Sequence, residues 1–201
     1  MTAAPDRTQS PGRALRTKLS VPAGGGWEPH AHSHAWRLEQ EESGPPRLVA
    51  APDRDQVGLL IDLSRTLPGP FLMVWALLSM RGLFPPGRYQ TSQPVPREAL
   101  EAFLGRFREF FEQDGRHHLL VASAVEPSTL FLDHHQVLHL YGRLEDYQPV
   151  LRRAGMGEGP VIVPEVHRHE VHADLDPLEQ QVAAAFLWTW NSLEPGDEPV
   201  D

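Results

Sequence analysis

Residues 129 to 142, TLFLDHHQVLHLYG, decide the fold: two short apolar runs are hinged on Asp133-His134-His135-Gln136. Alternating apolar residues mark a half-buried strand, and two such runs separated by a short polar stretch mark a hairpin. A loop over His134, His135 and Gln136 pairs Asp133 with Val137 and Phe131 with His139. Leu130, Leu132, Leu138 and Leu140 then share one face, and a slip of one residue would mix apolar with polar positions. Phe131, Asp133, Val137, His139 and Tyr141 share the other face, and the tip carries an acid and two imidazoles.

Working outward, Leu119 to Ala122 reads as a strand, as do Arg47 to Ala50, Val57 to Leu63 and Phe71 to Met80. Val161 to His172 also alternates, although Pro164 implies an edge strand or an irregular start. The clearest helix is Arg97 to Gln113, where Leu100, Phe103, Leu104, Phe107, Phe110 and Phe111 recur at three and four residues. Pro96 suits its start and Gly115 its end. A short helix is expected from Glu145 to Ala154, with Pro149 in its first turn. Asp176, Pro177 and Glu179 open a last helix expected to reach Asn191. These elements predict an α+β fold, a mainly antiparallel sheet of about six strands packed against two longer helices, with a disordered N-terminal arm. The division expected is residues 1–35 as a flexible Pro/Gly/His-rich arm, 36–193 as one α+β domain and 194–201 as an acidic tail.

The 201 residues carry a net charge of -9, with 17 arginines and a single lysine, Lys18. Phosphate binding draws on clustered basic residues, and no dense basic run appears, so neither nucleic acid nor an anionic membrane surface is the expected partner. The arginine bias matches GC-rich coding of a bacterial type. Without cysteine, disulfides, thiolate metal sites and cysteine nucleophiles are excluded. No signal-peptide core occurs, and the longest apolar run, Phe71 to Met80, is half of the ~20 residues a membrane helix needs. A cytoplasmic protein is the expectation.

Candidate chemistry lies in the histidines. His167 and His169, two apart on a strand, point the same way and offer two imidazoles to one metal. Asp133 and His135 complete an all-N/O site for zinc, manganese or iron where the hairpin tip meets that strand. The bland alternatives are a solvent-facing edge for His167 and His169, and backbone hydrogen bonding at the hairpin corner for Asp133. Arg88, Arg116 and His117 are candidate anion ligands, or residues that pin loops. No nucleophile elbow, phosphate loop or zinc-protease H-E-x-x-H pattern is present.

Gly26, His32, His34 and Glu39 resemble the first motif of the cupin family: a glycine, five residues, His-x-His, then a glutamate four or five later. The resemblance implies a metal held by His32, His34, Glu39 and His167. It departs from the family where Gly44 follows too soon. The only candidate second motif, Gly159 to His167, lies more than a hundred residues on, beyond a helix and without the turn glycine. The absent motifs and the acidity favour a non-catalytic binding or regulatory module that meets a protein partner through an acidic surface. The alternatives are a metal-dependent hydrolase built on Asp133, His135, His167 and His169, and a degenerate cupin-like metal protein.

Overall fold

The computed structural model describes residues 16–40 and 44–197. Strands β1 (Leu19–Ala23) and β2 (Gly26–Pro29) form a hairpin over Gly24-Gly25, whose φ values of 56° and 85° suit the tight two-residue turn. Strands β3 (Ala35–Glu39) and β4 (Arg47–Ala51) precede helix α1 (Gln56–Ser64). Next come β5 (Phe71–Leu77), β6 (Gly87–Thr91), α2 (Arg97–Arg106) and α3 (Arg108–Gln113). The central run is β7 (His117–Ser123), β8 (Thr129–Leu132) and β9 (Leu138–Tyr141), followed by α4 (Leu144–Arg153). The chain closes with β10 (Gly157–Glu158), β11 (Arg168–His169), α5 (Asp176–Ala185) and β12 (Trp188–Asn191).

The fold is α+β, but the sheet is larger than its sequence suggests. Nine strands run in the order β10-β3-β4-β9-β8-β7-β5-β6-β12, antiparallel except for the parallel β10–β3 edge. A separate antiparallel sheet has the order β11-β1-β2. Among the described residues, five α-helices of six to ten residues replace the two longer ones expected. The additional strands have identifiable causes. Residues 19–35, expected within a disordered arm, form β1, β2 and the start of β3, because Leu19 and Ala35 find core positions. Residues 1–15, the rest of that arm, and 198–201, the end of the tail, lie outside the described residues.

The expected long helix breaks at Phe107, whose φ of -103° and ψ of 17° leave the helical region. The turn seats Phe110 and Phe111 around the His117 ring, with centroids 4.3 and 5.4 Å away. The last helix stops at Ala185, and Phe186 is extended. Trp188-Thr189-Trp190 then pairs with the open edge of β6, as aromatic and β-branched residues favour. Residues 57–63 are helical, not a strand. Val57, Leu60 and Leu63 are wholly buried and α1 is enclosed by α2, α3, α4 and β8, so its apolar residues run all round. The expected strand at 161–172 contracts to Arg168–His169, since Pro160 and Pro164 remove amide donors before it. Pro149 sits beyond the first turn of α4.

The central hairpin has the register its leucines select. Leu130 faces Leu140, Phe131 faces His139, and the four leucines are wholly buried in the main core. Lys18 ties the small sheet to this hairpin, its buried Nζ donating to the carbonyls of His117 and Asp133 at 3.1 Å. Many surface acids are met by arginines, among them Glu39 by Arg47, Glu101 by Arg65 and Asp197 by Arg88. Among the described residues no helix is long and apolar enough to cross a membrane.

Candidate metal centre

Asp133 builds the turn that carries the first two imidazoles. Its Oδ1 accepts the backbone N–H of His135 at 2.9 Å and of Val137 at 2.8 Å, and its Oδ2 meets His139 Nε2 at 3.0 Å. Burial alone would raise this carboxyl, but the hydrogen bonds and charge of His135 and His139 hold it well below the usual carboxylate range. Gln136 closes the loop with a left-handed φ of 65° and donates through Nε2 to Glu112 O. In this turn His134 and His135 do not diverge as successive strand residues would, and their ring centroids lie 3.9 Å apart.

The third imidazole comes from the small sheet. His169 faces Leu19 across the β1–β11 ladder, while Gly115 N donates to Glu170 O at 2.9 Å and Glu170 N to Lys18 O at 2.7 Å. These bonds press β11 against the start of β7 and bring the His169 ring to 4.4 Å from His134 and 5.1 Å from His135. One nitrogen from each of His134, His135 and His169 lies within 4.8 Å of the others. His167 adjoins the set, its ring 5.1 Å from His135 and 5.2 Å from His169.

Two of the three rings, His134 and His169, are held neutral. Burial, then the charges of His135 and His167, lowers His169 to about 4. Burial drives His134 far below its ordinary value, and His135, His118 and His169 push in the same direction. His118 supports His134 from behind, with Nε2 3.2 Å from His134 Nδ1, and burial lowers it to about 4. Neutral imidazole is the form that ligates a metal, and crowded rings that repel one another's protons favour a shared cation in their place.

No family model, curated protein or solved structure matches the chain. The site is therefore read from its own chemistry.

Of the four metal ligands expected from sequence, His135, His167 and His169 come together, and Asp133 stands behind them as the acceptor that shapes the turn. Of the cupin-like set, Glu39 is bound by Arg37 and Arg47, and His34 Nδ1 lies 2.9 Å from Asp53. His32 donates through Nε2 to His135 O at 2.7 Å, so these side chains face separate partners. Arg88 pairs with Glu194 and Asp197. Arg116 is buried, bound to Asp114 at 2.9 Å and Glu179 at 3.0 Å, and His117 is enclosed with Nε2 3.1 Å from Phe110 O. His134, the most buried of the three grouped imidazoles, is absent from the ligand set expected from sequence. Its signal was the adjacent His134-His135 pair in a tight loop, where strand alternation does not apply.

Proposed function

We propose that the chain binds a divalent transition-metal ion through His134, His135 and His169, and that its activity is metal-dependent hydrolysis. The observation that carries the reading is the convergence of three imidazole nitrogens from two sheets. An all-nitrogen set favours zinc, with iron next, over manganese, which prefers oxygen ligands. Three protein ligands leave a fourth position, and a metal there supplies an activated water. Asp133 fixes the His134-His135 turn and places its Oδ2 3.7 Å from His135 Nδ1, the carboxylate behind a ring that such sites use. The acidic binding-module reading has less support, because so many surface acids are already paired with arginine.

Competition titration against a chromophoric zinc chelator tests the proposal. His134→Ala and His169→Ala are each expected to weaken the tightest zinc site by about 100-fold or more, with circular dichroism unchanged. Wild-type protein that fails to compete for zinc, or folded variants that compete equally well, would end the reading.

A further inference from the structure

We propose that a second divalent transition-metal ion binds beside the first, held by His30, His32 and His167; this rests on the three-imidazole reading above. The argument is one of unused lone pairs. His32 is 6 % exposed, and its Nε2 proton is committed to His135 O at 2.7 Å. Its Nδ1 is then a bare lone pair, buried and without a hydrogen-bond partner. The Ile162 carbonyl lies near this ring, but a neutral imidazole already donating through Nε2 has no second proton to give it. His167 repeats the arrangement. Its Nδ1 lies 2.6 Å from Pro164 O, which accepts its proton and leaves Nε2 as the lone pair. His30 Nε2 is likewise buried and unpartnered.

A buried ring nitrogen without a partner is costly, and two on neighbouring rings, His30 Nε2 and His32 Nδ1, call for a common partner. A backbone carbonyl that fixes the proton on one ring nitrogen while the other is left bare is the outer-shell arrangement of metal-binding histidines. The fold brings His30 and His32 to the segment that carries His167. His30 N donates to Leu19 O at 2.9 Å, and Leu19 faces His169, so His30 and the His167–His169 segment flank the same residue of β1. The His30 and His32 rings are 4.7 Å apart, and His30 lies within electrostatic reach of His167. Among the described residues only the inner three already bring ligand atoms within 4.8 Å, so half-buried His30 must swing inward to complete the outer set. His167 adjoins the inner set, its ring 5.1 Å from His135, and lies within electrostatic reach of His30, which would place the two ions side by side.

Zinc bound by the full chain is counted by elemental analysis after equilibrium dialysis at fixed free zinc. Wild type is expected to hold two equivalents, and His30→Ala/His32→Gln one, with the tighter site unchanged. His30→Ala alone, at the sheet margin, is expected to lose the weaker equivalent and serves if the double variant does not fold. One equivalent in wild type, or two in folded variants, overturns the second site and leaves the first standing. No zinc in wild type overturns both.

Discussion

Gly115 is set by a contact that only the folded chain makes. A Cβ there would sit 2.9 Å from His169 Cβ, 2.9 Å from Lys18 O and 3.3 Å from Glu170 O. Two of those neighbours are backbone atoms, so Gly115→Ala must push β11 away from β7 and carry His169 with it. The expected cost is about 1–3 kcal/mol in urea unfolding, accompanied by weaker zinc binding. A variant normal in both measurements would show that the close approach does not position His169. From sequence this glycine reads as the end of a helix, because the strand that crowds it lies more than fifty residues away. Asp133 is more legible, since a corner aspartate that accepts nearby amides is a local property of the turn. Lys18, the only lysine, gives no sequence signal of its burial between two carbonyls.

At the scale of elements, legibility follows whether a pattern is local. The β8–β9 hairpin is readable because its leucines and loop length specify the same register. Helix α1 is not, because with seven of its nine residues buried it loses the period that separates helix from strand. Strand β12 is hidden for another reason: its partner, β6, lies nearly a hundred residues earlier, and a helical run leads directly into it. Its attachment depends on Gly87, where a Cβ would fall 2.7 Å from Asn191 O and 2.1 Å from Trp190 Nε1. The indole can turn aside, whereas the Asn191 carbonyl belongs to the backbone. Gly87→Ala is therefore expected to loosen β12, with faster hydrogen exchange at residues 188–191 and a loss of roughly 1–2 kcal/mol. Zinc binding should be unaffected, since this edge lies five strands from β9 in the sheet order. Unchanged exchange at those amides would mean that the edge accommodates the methyl group.

For the whole molecule, α+β was readable from the mixture of periodicities, whereas the nine-strand sheet was not, because an edge strand as short as β10 has no pattern of its own. Burying histidines also sets the response to acid. His117, His118, His134 and His169 are all lowered, each chiefly by burial, with His118 and His169 at about 4. In the unfolded chain such groups titrate near about 6.5. Below that pH the unfolded state binds more protons, so the stability these rings contribute is present at neutral pH and is lost as pH falls toward 4. Glu112 acts in the opposite sense. Burial pushes it up to about 7 despite the Val57 amide on its Oε1, so its strained charge is relieved as pH falls from 7 toward its ordinary 4.5. Burial raises Glu179 as well, and these two carboxyls offset only part of what the four imidazoles lose. Metal-stripped protein is therefore expected to lose stability steeply from pH 6.5 to 4.5, at about 1.4 kcal/mol per pH unit for each uncompensated proton. Glu112→Gln should stabilise the protein by roughly 3 kcal/mol above pH 7 and make the acid loss steeper, because one compensating carboxyl is gone. Urea midpoints across this range, measured with chelator present, check both effects, and a flat wild-type profile would contradict the burial of these rings as neutral groups.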